Sequence, residues 1–269
     1  MIVTTINVNG VRAAVRERSA ENLGLLNWLS QTRSEVVCLQ EVRADPAQLG
    51  AALAPVLDQG WQLASAPSHQ KGRSGVAVLS RTPFTDVRIG LPGFEQDGRY
   101  LEVDTVGGIT VGSVYVHTGE AGTDRQLDKE RFMAELATRM AELVDGGLPT
   151  VLCGDWNIAH TERDIKAWKA NVAKAGFLPE ERQWLTELQS SGWVDVVRQC
   201  YPDQPGPYSW WSWRGKAFDN DAGWRIDYHL ATKNLAAHTI SAHVEKPAEY
   251  ALRWSDHAPV TVEFSLPTP

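Results

Sequence analysis

Short apolar runs recur along this chain, and each is broken by polar or acidic residues. Segments 2–8, 36–39, 75–80, 100–106, 109–117, 150–153, 225–231 and 258–264 have the length and the Val, Ile and Thr content of strands. Helical spacing is confined to fewer places. Leu25, Leu26 and Leu29 give an apolar face within 21–32, and Phe132, Leu136, Met140 and Leu143 give one within 125–145. Pro179, followed by Glu180 and Glu181, marks a helix start, because proline is tolerated in the first turn and acids are favoured there. The residues at the strand ends matter more than the strands. Asn7 and Asn9, Gln40 and Glu41, Tyr115, Asp155 and Asn157 all sit at such ends. In a layered β-rich fold strand ends project towards one rim, where loops build a site on a rigid frame.

The bulk properties exclude little but exclude it cleanly. A chain of 269 residues with 43% hydrophobic and 22% charged residues is ordinary globular protein and suits one large domain, residues 1–269. The net charge of −7 counts against binding driven by bulk charge, yet basic side chains gathered on one face still bind phosphates. Cys38, Cys153 and Cys200 make an odd count without a CxxC, so neither a disulfide framework nor a structural zinc site is expected. The start MIVTTINVNG has no basic n-region or apolar h-region, and no run reaches the length of a membrane span. A cytoplasmic protein without membrane contact is the expectation.

Six motifs carry the chemistry: INVNG (6–10), LQE (39–41), Tyr115, GDWN (154–157), WRIDY (224–228) and SDH (255–257). Each alone is weak, since Gly, Asp and Asn are turn formers and a lone Asp-His pair is commonly a cap. Asn7 alone reads as a strand-end residue bonding its own backbone, and Tyr115 as a core-edge tyrosine. All six in this order, each at a strand end, are hard to explain as turns. Together with SGVAVLSR (74–81) and GFLPEERQWL (176–185), the set resembles the exonuclease III (AP endonuclease) branch of the endonuclease/exonuclease/phosphatase superfamily. The resemblance covers nearly the whole chain.

That resemblance implies a four-layer α/β sandwich, two mixed and largely antiparallel sheets packed face to face with helices outside. It implies catalytic roles for Tyr115, Asp155, Asn157, Asp227 and His257. Asp155 is the expected base for water, Asn157 a holder of that water or of a phosphoryl oxygen, and His257, oriented by Asp227, a donor to the phosphoryl oxygen. It also implies a metal surrounded by Asn7, Glu41, Asp155, Asn157, Asp256 and His257, anchored by Glu41 and Asp256. An oxygen-rich donor set of this kind selects Mg²⁺, with Mn²⁺ as substitute, over Zn²⁺.

The expected partner is double-stranded DNA with abasic sites or blocked 3′ ends, bound by a monomer. Trp210, Trp211, Trp213 and Trp224 crowd together among the 11 tryptophans. Such clusters commonly pack, but by position Trp210, Trp224 and Ile226 match the family's pocket for a flipped abasic sugar, a lesion that is cheap to extrude. Lys71, Arg73, Arg125, Asn171 and Lys174 are the expected DNA contacts. Lys166, Lys169, Arg214 and Lys216 read as basic residues scattered nearby. Two positions depart from the family: Lys174 stands where Asn is usual, and His117 where Pro is common. The implied activity is cleavage 5′ to an abasic site, with 3′→5′ exonuclease and 3′-phosphatase activity. The alternatives are a superfamily phosphodiesterase acting on RNA or lipid head groups, and a non-catalytic DNA-binding module.

Overall fold

Every side chain of the strand Val36–Gln40 is buried, so its apolar run does not alternate with polar residues. Val36 and Cys38 face one apolar cluster, Val37 and Leu39 another. A strand covered on both faces needs layers on both sides, and the whole fold obeys that rule. The structure, a computed structural model, describes residues 1–265.

The chain runs β1 (Ile2–Asn7), α1 (Val11–Ala14), α2 (Gly24–Gln31), β2 (Val36–Gln40), α3 (Pro46–Leu57), β3 (Gln62–Ala66), β4 (Val76–Ser80), β5 (Phe84–Ile89) and β6 (Tyr100–Thr105). It continues β7 (Thr110–Tyr115), α4 (Asp124–Asp145), β8 (Thr150–Asp155), α5 (Pro179–Ser190), β9 (Trp193–Asp195), α6 (Val196–Cys200), β10 (Asp227–Thr232), α7 (Lys233–Ala236), β11 (Thr239–Val244) and β12 (Val260–Phe264). One six-stranded sheet has the order β11-β12-β1-β2-β4-β3, the other β5-β6-β7-β8-β10-β9. The pairs β1–β2 and β7–β8 are parallel and the other pairs antiparallel. This is the expected four-layer sandwich.

Three apolar clusters fill the layers. Val3, Val36, Cys38, Val78, Val103, Val111, Val151 and Val262 lie between the sheets. Ile6, Val37, Leu39 and Leu79 meet Leu25 and Leu29 of α2 and Leu53 of α3. Val114, Leu152 and Leu230 meet Phe132, Leu136 and Met140 of α4 and Leu185 of α5. Polar links tie the sheets together between these clusters. Gln40 Nε2 donates to Ser113 Oγ at 2.9 Å, and Ser113 Oγ donates to the Leu39 carbonyl at 3.0 Å.

The elements missed in the sequence are edge strands and short or weakly patterned segments. Strands β5 and β11 are mostly exposed edge strands, and β9 has three residues. Helix α3 did carry a signal: Asp45 accepts from the Gln48 amide at 2.8 Å, Gln48 returns the bond, and Pro46 takes the first turn. The strand expected over 225–231 begins only at Asp227. Arg225 is instead spent on a buried ion pair, with Nε 2.6 Å from Asp164 and Nη2 2.7 Å from Asp195. Among the described residues, no helix is long and apolar enough to cross a membrane.

Candidate active site

Strand register assembles the site. In the second sheet Tyr115 pairs with Asp155, and Asp155 with Asp227, so β7, β8 and β10 put three polar residues in one row. In the first sheet Asn7 pairs with Gln40, which carries Glu41 to the same rim. Close backbone approach fixes Asp155: a Cβ on Gly154 would lie 1.8 Å from the Val114 carbonyl oxygen, so only glycine fits there. The loop before β12 adds Asp256 and His257, bridged to Trp210.

Asp155 is the most heavily engaged group. Its Oδ2 accepts from Asn7 Nδ2 and Asn157 Nδ2, both at 2.9 Å, and its Oδ1 accepts from the Asn157 amide at 2.9 Å. His257 Nε2 lies 3.7 Å from Asp155 Oδ2, while Nδ1 is 2.8 Å from Asp227 Oδ2. Burial opposes a charged imidazole, but the Asp227 and Asp155 carboxylates and the Asp227 hydrogen bond outweigh it, and the His257 pKa rises to about 10. Burial pushes the Asp155 carboxyl up, the His257 cation pulls it down, and Asp227 and Glu41 push again, leaving it at about 8. Asp227 keeps one buried oxygen, Oδ1, without a hydrogen-bond partner among the described residues.

A second acidic pair lies alongside. Glu41 Oε1 accepts from Asn7 Nδ2 at 3.1 Å and from the Tyr115 hydroxyl at 2.8 Å, and Arg43 forms an ion pair with Oε2. Burial, then the Glu41 and Asp155 charges, hold the Tyr115 phenol well above its ordinary range, so it stays a donor. Asp256 accepts from Asn9 Nδ2 at 2.9 Å and from Trp210 Nε1 at 3.2 Å. Burial disfavours its charge, but His257 and these donors outweigh that and lower its pKa.

Three side chains are engaged differently from the expectation that they surround a metal. The Asn7 oxygen accepts from the Asn9 amide at 2.9 Å, which turns its NH₂ towards Glu41 and Asp155. The Asn157 oxygen accepts from Thr118 at 2.9 Å, and its NH₂ is divided between Asp155 and the Val116 carbonyl. His257 Nδ1 is engaged by Asp227 Oδ2 at 2.8 Å and its Nε2 faces Asp155 Oδ2 at 3.7 Å. Asp155, Asp227 and His257 do bring ligand-type atoms within 4.8 Å of one another, but the geometry is that of an ion cluster around one imidazolium.

Two clefts open at this rim and share Glu41 and Arg43. One, of about 370 Å³, runs from Asp155, Asn157, Asp256 and His257 to a wall of Trp210, Trp224 and Ile226, with Asn171 and Lys174 at its edge. Trp210 and Trp224 meet edge to face with ring centroids 6.2 Å apart. The tryptophan cluster therefore divides. Trp211 is buried and donates to Asp221, Trp213 lies exposed under the Arg253 guanidinium, and only Trp210 and Trp224 reach the cleft. The other cleft, of about 530 Å³, is lined by Arg43, Arg73, Arg99 and Arg125 among others. Lys71 is exposed nearby but lines neither cleft. Lys166, Lys169, Arg214 and Lys216 are exposed and line neither.

A profile of the Endonuclease/Exonuclease/phosphatase family matches residues 4–257, which span every group described above. The chain belongs to that family. It is 34% identical over 262 residues to an exodeoxyribonuclease of Bacillus subtilis, covering 97% of this chain and 98% of the relative. A 3′-5′ exonuclease of Neisseria meningitidis has the same fold, with a TM-score of 0.88 and 32% identity over 98% of this chain and 99% of that one. An AP endonuclease of Archaeoglobus fulgidus follows at a TM-score of 0.84 and 26% identity, over 98% and 99%.

The site of this family member includes residues that sequence reasoning did not select. Arg43 and Thr118 touch an acidic group or its holder. One signal is visible only in the backbone. Asn9, Glu41, Arg43 and Asn157 have φ values of 47, 49, 50 and 48, a left-handed conformation that L residues seldom adopt, and all four border the same cleft.

Proposed function

We propose that this protein is a metal-dependent DNA repair nuclease that cuts the phosphodiester 5′ to an abasic site in duplex DNA, leaving a 3′-hydroxyl, and that also removes nucleotides and phosphates from 3′ ends. The observation that carries this reading is a single cleft with an imidazolium between two buried carboxylates at one end and an apolar Trp210–Trp224–Ile226 wall at the other. An anionic phosphate suits the first and a sugar without its base suits the second.

Glu41 and Asp256 present carboxylate oxygens to this cleft. This hard, oxygen-only pair fits Mg²⁺ or Mn²⁺. A bound Mg²⁺ supplies Lewis-acid polarisation of a phosphate oxygen. Asp155 is the base: burial raises the proton affinity of its carboxylate, which takes the proton of the attacking water. The water oxygen bonds to phosphorus, the P–O3′ bond breaks, and the released 3′ oxygen takes up a proton. His257, kept cationic by Asp227, stabilises the charge that builds on the phosphoryl oxygens. Asn7 and Asn157 aim the Asp155 carboxylate through the bonds described above. Residues 1–269 act as one catalytic domain and as a monomer.

The test is a time course on a labelled abasic duplex beside an intact duplex, with Mg²⁺ titrated and EDTA as control. The expected result is one incision 5′ to the lesion, dependent on metal and faster than any cut in the intact strand. Asp155→Asn should lower kcat by about 10²–10⁴ while leaving duplex affinity nearly unchanged. Full turnover by that variant removes Asp155 from the mechanism. Metal-independent cleavage, or none of DNA, overturns the reading.

A further inference from the structure

Helix α4 carries a lysine that no motif marks and that contacts no solvent. Lys129 is 0% exposed, and its Nζ lies 2.6 Å from Glu181 Oε1 and 3.0 Å from the Asn157 carbonyl oxygen, to which it donates. Glu181 is the second glutamate at the start of α5. It does not simply face the helix end: it is 1% exposed, and its Oε2 accepts from the Gly176 amide at 2.6 Å and the Leu178 amide at 3.1 Å. A buried ion pair of this kind is costly to desolvate, and apolar residues of like volume commonly pack as stably. Core stability alone therefore does not account for an ammonium here.

Its hydrogen bonds do. Lys129 holds the carbonyl of a residue at φ 48, a left-handed conformation that Asn tolerates better than other L residues but still at some cost. In that conformation the Asn157 amide and side chain reach both oxygens of Asp155, at 2.9 Å each. On the other side, the Glu181 carboxylate holds Gly176, where an added Cβ would lie 3.1 Å from the Asn157 carbonyl oxygen and 3.2 Å from the Trp224 ring. The Ala159 amide closes the arrangement by donating to the Gly176 carbonyl at 2.8 Å. Lys129 thus joins the loop that aims Asp155 to the loop that backs the apolar wall.

We propose that Lys129 is a positioning residue, holding Asn157, and through it the Asp155 carboxylate, in register with the Gly176–Trp224 wall. This rests on the nuclease reading above. Two variants separate positioning from packing. Glu181→Gln removes the negative charge but keeps an acceptor for Gly176 and Leu178 and leaves Lys129 on Asn157. Lys129→Met with Glu181→Gln also removes the ammonium, leaves no uncompensated buried charge, and takes the Lys129 donor from the Asn157 carbonyl and from the side chain at position 181.

Each variant should unfold in one cooperative step, Glu181→Gln at lower denaturant than the double variant because it leaves the buried Lys129 ammonium without its counter-charge. Under conditions where both variants are folded, Glu181→Gln should keep kcat on the abasic duplex at least threefold above that of the double variant. The double variant should lose at least tenfold in kcat with KM changed less than threefold. Hydrogen exchange at the Asn157 amide should speed up at least tenfold in the double variant alone. A double variant with wild-type kcat and wild-type exchange makes Lys129 a packing residue and overturns the proposal, as does equal loss in both variants. If the wild type cuts no DNA, the nuclease reading fails. The exchange measurement then still decides whether Lys129 holds Asn157.

Discussion

Lys174→Asn tests whether an acidic protein gathers its cations where DNA lies. Lys174 is exposed at the edge of the cleft that holds Asp155 and Trp224, and no carboxylate lies within 4 Å of it among the described residues. With a net charge of −7, the chain offers DNA little bulk attraction, so a single cation at the cleft has weight. If Lys174 meets one backbone phosphate, its loss should flatten the slope of log K against log[salt] by about 0.9. Between about 50 and 200 mM salt, the gap in affinity between wild type and variant should then close by roughly 3.5-fold. The change should be equal on abasic and intact duplex, because phosphate contacts carry no lesion information. The measurement is fluorescence anisotropy of a labelled duplex in an Asp155→Asn background, so that the strand stays whole. Lys233→Asn serves as control, since Lys233 follows Thr232, which lies about 17 Å from Asp227 by strand rise. An unchanged slope for Lys174→Asn, or an equal change for Lys233→Asn, refutes the contact.

Trp224→Ala should lower abasic incision about tenfold more than 3′-phosphate removal, as only incision needs the sugar wall; equal losses in kcat/KM on the two substrates would assign Trp224 to packing. Arg225→Met should cost about 3–5 kcal/mol in denaturant unfolding, because it strands the buried Asp195 carboxylate, and a cost below about 1 kcal/mol would show that water reaches the site. His229 is fully buried, and burial lowers its pKa to about 3, the Val3 carbonyl opposing only in part. A depressed histidine binds its proton in the unfolded chain first. Its contribution is therefore complete above about pH 6.5 and is lost as pH falls towards 3, at about 1.4 kcal/mol per unit. Between about pH 7 and 5 the wild type should lose about 2 kcal/mol more than His229→Phe; parallel losses would mean that His229 does not couple acid to unfolding.

The central strands were legible in the sequence because burial on both faces leaves a continuous apolar run, as in Val36 to Leu39 and Val76 to Leu79. Edge strands β5 and β11 were not legible, because one exposed face removes that run. The carboxylates and His257 were legible as strand-end residues in a fixed order. Order along the chain says nothing of direction in space. Tertiary structure alone turned the Asn7 amide towards two carboxylates, fixed the charge of His257 by setting it between Asp155 and Asp227, and parted Trp210 and Trp224 from the packed Trp211. It also put Lys129 of α4 against Asn157, 28 residues away, and Glu181, 52 residues away. Apolar periodicity records which face of an element is covered. Hydrogen-bond partners and pKa values depend on distances of about 3 Å between residues far apart in sequence, and only the packed layers set those distances.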